Sequence, residues 1–426
     1  MNAALVLSLI VLFGLSVPVA ISIGLAAVIS IKAFSNLPLL VVPQKMFTGL
    51  DSFPLMAVPF FILAGVLMTH GGISNRLVEF VKSIIGGMRG GLACSCVITC
   101  MIFAAISGSS VATTFAIGSI LIPAMVRHGY PVAMASAIQA SSAELGVIIP
   151  PSVPLILYAV STETSITQLF MGGLVPGLMI AAGLVVMVQI WCRVRGVGDH
   201  DGADRRPLWP AFRQAFWALM MPVIIIGGIY GGVFTPTEAA AVSVIYALVL
   251  GLFVYKELGW SDLPRLFRDA TVSSGVVMLV IAAASLFSFL ISLSGLPDAV
   301  GDWARDTFHS RLTFLLGINI LLLIVGMFIE TSAAILVLAP ILTPVAIAFG
   351  IDPVHFGIVI VVNLALGMFT PPLGVNLFAA AAVARIPVQQ IFPALVWPIV
   401  TVILGLLAIT YVPVISLGLV RLTLGQ

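Results

Sequence analysis

Eleven apolar segments follow one another with only short polar breaks, at 3–33, 52–70, 92–125, 131–161, 165–192, 216–234, 237–255, 271–294, 311–349, 353–385 and 388–420. A bilayer crossing takes roughly 20 apolar residues, and a chain that offers such runs nearly end to end has no interior large enough to hide them. With 61% of its 426 residues hydrophobic, 8% charged and a mean hydropathy of +1.23, it is excluded from the soluble globules. The expected fold is an all-α polytopic membrane protein with about ten to twelve transmembrane helices. Most of that range turns on whether 3–33 forms one long helix or two short ones. The formal charge of +2 carries little, because in membranes the placement of Lys and Arg outweighs their sum. Nucleic acid is not an expected partner, and the first apolar run passes Val17-Pro18 without a small-residue cleavage site, so no cleavable signal peptide is read.

Two segments, 92–125 and 311–349, are too long for one crossing and turn polar at the middle, "ISGSSVATT" (106–114) and "FIETSAAIL" (328–336). Apolar, then small and polar, then apolar again reads as a re-entrant hairpin whose tip is buried in protein or lines a wet cavity. Arg76, Lys82, Arg89, Arg127, Arg193, Arg195, Arg205, Arg206 and Arg213 fall in breaks that the positive-inside rule puts in the cytoplasm. Counting onward, the segment after Asp298, Asp302 and Asp306 starts outside, so the second hairpin enters from the opposite face.

Displaced by 221 residues, the sequence matches itself: Pro123 falls on Pro344, Gly129 on Gly350, Gly146 on Gly367, Pro150-Pro151 on Pro371-Pro372 and Ser110 on Thr331. Five crossings separate the hairpins, an odd number, which inverts the second repeat. Inverted repeats with broken helices are the mark of secondary transporters, whose binding site lies where the halves meet near the midplane. Each Pro-Pro pair stops the helix before it and frees carbonyls that, in hydrocarbon, need a partner. A coordinated Na⁺ or a polar substrate supplies one. The helix amino ends after Pro151 and Pro372 favour an anionic group. The carbonyls and hydroxyls of Ser107, Ser109, Ser110, Thr331, Ser332, Asn363 and Thr370 suit a hard monovalent cation. Taken singly, a Ser/Gly-rich tip is usually close helix packing and a double proline is as often a kink; their joint recurrence in register points to a site.

Glu144 and Glu330 are the acidic residues at membrane depth in the repeats, which makes each a functional candidate. Ion coordination and capping of the second hairpin arm are equal readings for Glu330. For Glu144, one turn before the first break, pairing with backbone or a neighbouring helix is as good a reading as a functional role. Thr235-Pro236-Thr237-Glu238 reads as a helix start with Thr235 as cap. Cys94, Cys96 and Cys100 have C-x-C-x3-C spacing, but on a helix that spacing turns side chains apart and no histidine is near, so close packing is the better reading; the same holds for Cys192. His70, His128, His200, His309 and His355 fall at segment ends and are assigned no chemistry.

Nearly the whole chain resembles the large membrane (M) subunit of the tripartite ATP-independent periplasmic (TRAP) transporters, most specifically in "SGSSVATTFAIGSILIPAM" (107–125), "LGVIIPPSVPLILYA" (145–159), "GGVFTPTEAAAV" (231–242) and "LGMFTPPLGVNLF" (366–378). The resemblance implies an elevator movement of a transport domain against a scaffold, coupling to Na⁺ and no other cofactor. It further implies a small four-helix membrane partner, a periplasmic substrate-binding protein, an organic acid such as a C4-dicarboxylate or sialic acid, and the inner membrane of a bacterium. The small partner is expected as a separate chain. The family's ion and substrate site maps onto 107–110, 146–152, 330–332 and 367–376. Its residues are Ser107, Gly108, Ser109, Ser110, Gly146, Pro150, Pro151, Ser152, Glu330, Thr331, Ser332, Gly367, Thr370, Pro371, Pro372, Gly374 and Asn376, beside Asn363 from the cation reading. Glu144 stands where many relatives are expected to carry Gly or another small residue.

The expected division is 1–91, scaffold helices and a cytoplasmic arm; 92–161, the first transport repeat; 162–310, scaffold helices and a second arm; 311–385, the second transport repeat; and 386–426, a C-terminal helix. The competing reading is an intramembrane enzyme using a Ser or Glu in a polar pocket. It lacks a Ser/His/Asp grouping, an HExxH and an aspartate pair within the apolar segments. A channel is a third reading, against which the inverted repeat argues moderately.

Overall fold

The structure, a computed structural model, describes residues 2–198 and 207–424; Arg205, Arg206 and His200 of the basic loop lie outside the described residues. Residues 3–33 divide into two short apolar helices, α1 (Asn2–Gly14) and α2 (Val19–Phe34). Pro18 holds an extended backbone at the start of α2 and Ser16 is left-handed at φ 59°, so the chain reverses there. With a later helix, Leu263–Leu293, they form a separate apolar core around Leu5, Ile23, Ile31, Phe287 and Leu290.

Next come α3 (Val41–Leu50), α4 (Ala57–His70) and the amphipathic arm α5 (Ile73–Ile85). The first hairpin is α6 (Gly91–Ser107) and α7 (Ser110–Arg127). The first broken helix is α8 (Val132–Ala143), α9 (Leu145–Ile148) and α10 (Val153–Thr162), bent by 41° at the break. Then follow α11 (Ile166–Arg195), α12 (Leu208–Tyr230), α13 (Pro236–Val249), α14 (Leu263–Leu293) and a second amphipathic arm, α15 (Leu296–Thr307). The start of α13 is a capping box, with Glu238 N donating to Thr235 Oγ1 at 3.3 Å and Thr235 N to Glu238 Oε2 at 2.8 Å.

The second hairpin is α16 (Arg311–Phe328) and α17 (Thr331–Ala348), and the second broken helix is α18 (Pro353–Met368) and α19 (Val375–Ala384). Where one C-terminal helix was expected over 386–426, there are two, α20 (Val396–Tyr411) and α21 (Val414–Leu424), because Pro413 cannot continue α20. Among the described residues nine helices are long and apolar enough to cross a bilayer, or ten with the bent pair as one span.

Two packing choices position the site. The second half of each broken helix crosses to the other repeat: α10 lies against α17, and α19 against α7 and α8. The flanking helices α11, α20 and α21 pack on α6 and α18. His355 at the start of α18 is fully buried between Ser416 Oγ (2.7 Å) and the Thr410 carbonyl (3.3 Å), tying α18 to the C-terminal pair. A buried histidine needs such partners, and this one holds structure at a helix start.

Candidate functional site

The first hairpin turns in two residues, because Gly108 takes a left-handed φ of 61° that a side chain would resist. A Cβ at Gly108 would lie 3.0 Å from the Pro151 carbonyl, and the Gly108 carbonyl accepts from Val153 N at 3.4 Å. The tip is therefore set directly on the first break. Ser109 caps α7, its hydroxyl accepting from Ala112 N at 3.4 Å, while its carbonyl accepts from Thr113 Oγ1 at 2.8 Å. Ser107 Oγ meets Thr113 Oγ1 at 3.0 Å. Gly146 backs onto the same tip: a Cβ there would fall 2.9 Å from the Ser109 carbonyl.

At the break itself the Pro150-Pro151 peptide bond is cis, as is Pro371-Pro372. Ser152 caps α10: its hydroxyl donates to the Val147 carbonyl at 2.5 Å, one of those the prolines freed, and accepts from Leu155 N at 3.4 Å. At the second break Thr370 Oγ1 donates to Leu366 O at 2.6 Å, and Gly374 begins α19 without a side-chain cap. A Cβ on Gly374 would meet the Met368 carbonyl at 2.5 Å.

The second tip is Ile329-Glu330. Of the two readings left open for Glu330, the geometry shows capping: Oε2 accepts from Ser332 N (2.9 Å) and Ala333 N (3.2 Å), and Oε1 from Ser332 Oγ (2.9 Å). A carboxylate at a helix amino end also complements the helix dipole.

The halves meet at two places. Met368 sulfur receives Thr331 Oγ1 at 2.8 Å and Ser110 Oγ at 3.9 Å, so the equivalent first-turn hydroxyls of the two hairpins converge on one atom of the second broken helix. Asn376, in the first turn of α19, donates to Glu144 and accepts from Thr114 Oγ1 at 3.2 Å. This answers the open question on Glu144: its partner is a neighbouring helix of the other repeat.

Asn363 goes elsewhere. Its amide donates to Asn319 O (3.0 Å) and Oδ1 (2.8 Å) on α16, and Asn319 reaches Thr410 Oγ1 at 3.2 Å, away from the tips. Its own Oδ1 is buried without a partner, as are Glu144 Oε2 and the hydroxyl of Ser142, which is Asn363's counterpart in the first repeat. Such orphaned oxygens, with tip carbonyls and hydroxyls, fit a hard cation by donor type. Among the described residues no three His, Cys, Asp or Glu side chains converge on a metal site. The cysteines are buried in helix contacts, Cys96 donating to Gln139 Oε1 at 3.0 Å.

Sequence reasoning passed over Thr113, Thr114, Gln139, Asn319 and Met368. Thr113 and Thr114 lie three and four residues beyond Ser110 within the quoted tip, on the same helix face, which is a readable signal; Met368 carried none.

A family model described as "Tripartite ATP-independent periplasmic transporter, DctM component" matches residues 6–415. The C4-dicarboxylate TRAP transporter large permease protein DctM of Rhodobacter capsulatus is 43% identical over 438 residues, covering 98% of this chain and 99% of that one. The isethionate TRAP transporter permease protein DctMQ of Oleidesulfovibrio alaskensis is 45% identical over 403 residues, covering 94% of this chain and 63% of that one. The sialic acid TRAP transporter large permease protein SiaM of Vibrio cholerae is 39% identical over 382 residues, covering 90% of each. Among solved structures, the YdaH transporter of Alcanivorax borkumensis superposes with a TM-score of 0.67 over 90% of each chain at 15% identity, a likeness of fold alone.

Proposed function

The chain belongs to the DctM component of the tripartite ATP-independent periplasmic transporters, and from that premise we propose that it is the permease of a Na⁺-coupled importer of organic acids in a bacterial inner membrane, working by an elevator movement. It is a multi-pass transport permease and not an enzyme. A small membrane subunit and a periplasmic binding protein complete the system; the DctMQ relative joins an M-like and a further segment in one chain and supports the first of these. C4-dicarboxylates, isethionate and sialic acid, named for the relatives, are the substrate candidates.

The observation that carries the reading is the crossing of the two repeats, which brings both hairpin tips and both helix breaks to one place. There the start of α19, which carries no side-chain cap, offers backbone N–H groups to an anionic group, whereas the first N–H groups of α10 are already taken by Gly108 and Ser152. Ser107, Gly108, Ser109, Ser110, Gly146, Thr331, Ser332, Gly367 and Thr370 supply carbonyls and hydroxyls for Na⁺, and Asn376 an amide for the acid. The prolines keep the helix ends open, and Glu330 holds its tip in shape. We assign α6–α11 and α16–α21 to the mobile unit and α1–α5 with α12–α15 to the scaffold. A cavity of about 220 Å³ between α3 and α14 on one side and α10 and α17 on the other, lined by Gly49, Val160, Ser161, Ser285 and Ser288, supports a loose boundary there.

The test is uptake of labelled succinate, isethionate and sialic acid into proteoliposomes holding this chain, its small subunit and its binding protein, with and without an inward Na⁺ gradient. Uptake that needs the gradient and the binding protein is expected; uptake indifferent to Na⁺ would overturn the coupling-ion assignment.

A further inference from the structure

Two membrane-crossing helices, α11 and α20, enclose an apolar groove that belongs to neither hairpin and neither helix break. A Cβ on Gly183 would lie 3.2 Å from the Thr401 methyl carbon, and one on Gly405 would lie 3.3 Å from Ile180 Cγ1. The glycines therefore form the floor, and the pairing shows the helices to be antiparallel. Val186, Ile190, Val400 and Leu404 stand exposed as the walls of a cavity of about 450 Å³. The Thr401 hydroxyl donates to the Trp397 carbonyl at 2.9 Å, so it asks nothing of an occupant.

The groove runs from Met179 to Ile190 on α11 and from Ala408 back to Trp397 on α20. Eleven residue steps of about 1.5 Å make roughly 16 Å, close to half of the roughly 30 Å hydrocarbon core. That is the depth of one leaflet. A neighbouring transmembrane helix would need a seat about twice as long.

One end of the groove is charged. Arg193 follows Ile190 by three residues and Val186 by seven, which keeps it at the edge of the same helix face. It is exposed, and among the described residues no carboxylate pairs with it. Because the helices are antiparallel, Trp397 lies at this end too, and an amphipathic ring there suits the headgroup level. A cation beside a tail-lined groove at the membrane surface complements an anionic headgroup.

We infer that this groove seats one anionic phospholipid of the leaflet on the Arg193 side, cytoplasmic by the positive-inside rule. Its acyl chains lie over Gly183 and Gly405, and its phosphate meets Arg193 beside the Trp397 ring. The site is independent of which acid the carrier takes and of the coupling ion.

The test is native mass spectrometry of this chain with its small membrane subunit, titrated with phosphatidylglycerol and, separately, with phosphatidylcholine bearing the same chains. One phosphatidylglycerol should be held more tightly than phosphatidylcholine. R193Q changes an exposed side chain, so it should fold; it should weaken phosphatidylglycerol by about fivefold, the worth of one Arg near an anionic lipid surface, and leave phosphatidylcholine unchanged. Native affinity for phosphatidylglycerol in R193Q would overturn the proposal. G183L fills the floor and should lose both lipids; retention of both at native strength would overturn it as well. Glycerol 3-phosphate, a headgroup without chains, should fail to displace the lipid, and displacement would reduce the site to a phosphate site and overturn the lipid assignment. A photo-reactive residue in place of Leu404, on an exposed wall, gives a reading that does not depend on G183L folding. In a reconstituted bilayer it should label phospholipid; labelling of the small subunit or of a second copy would make the groove a protein interface and overturn the proposal.

Discussion

The two repeats follow one backbone plan with different side chains. The second hairpin arms α7 and α17 start at Ser110 and Thr331 and end at Arg127 and Ala348, and the broken helices start at Val132 and Pro353, all 221 residues apart. The caps correspond as well, Ser109 with Glu330. Yet Pro150, Pro151 and Ser152 are buried, whereas Pro372, Leu373 and Val375 are exposed at the second break. The arms of the first hairpin pack along each other; those of the second diverge, α16 onto α18 and α17 onto α10 and α15. Glycines and prolines thus hold the shared trace, while the first repeat carries most of the hydroxyl lining and the second the opening.

The largest effect is expected from P371A/P372A. With both prolines gone the helix can run on from α18, a preference of about 3 kcal/mol per interior proline, and uptake should fall by about a hundredfold or more while insertion and melting temperature hold, because that break is exposed. P150A/P151A should lose uptake and melting temperature together, since Gly108, Val153 and Ser152 are built around the buried break. Paired uptake and thermal-melt measurements check both. Full uptake by P371A/P372A would remove the claim that the break builds the site, and equal melting losses would remove the contrast between the repeats.

A smaller difference separates the equivalent glycines. A Cβ on Gly367 would lie 2.4 Å from the Gly326 carbonyl carbon and 2.5 Å from its Cα, where helices α16 and α18 cross backbone to backbone. On Gly146 the same atom would lie 2.9 Å from the Ser109 carbonyl oxygen at a hairpin turn. Overpacking of this kind costs about 1–3 kcal/mol, with G367A at the upper end and G146A at the lower, because a turn shifts more readily than two crossing helices. Thermal unfolding of the two purified variants orders them; the reverse order would mean that the first tip is the stiffer.

What the sequence made legible was local. The Pro-Pro breaks, the hairpin tips and the cap at Thr235 follow from backbone chemistry within a few residues, so their positions could be read directly, and capping is one of two readings for Glu330. Ser109 and Ser152 read as site residues, and their capping came from the structure. Contacts between distant segments could not. Glu144 and Asn376 lie 232 residues apart, and they meet because α19 crosses to the first repeat. Asn363 was chosen for its oxygen, but helix packing turns its amide N–H groups to Asn319 and leaves that oxygen without a partner. The division at Pro413 carried a readable signal that was outweighed by the unbroken apolar run around it.

The smallest effect tests the caps. Ser109 offers one hydroxyl to one N–H at 3.4 Å, while the Glu330 carboxylate takes two N–H groups and a hydroxyl at 2.9–3.2 Å. Loss of a cap costs typically about 1 kcal/mol within a range of about 0.5–2, so S109A should fall near the bottom of that range and E330A near the top, read as shifts in melting temperature. Glutamine at 330 retains an acceptor for the first turn, so E330Q should recover about half of the loss and leave the Na⁺ dependence of uptake as it was. A weakened Na⁺ dependence in E330Q at full thermal stability would instead make the carboxylate an ion ligand. The two caps would then differ in function as well as in strength, and the cation would be bound chiefly by the second repeat.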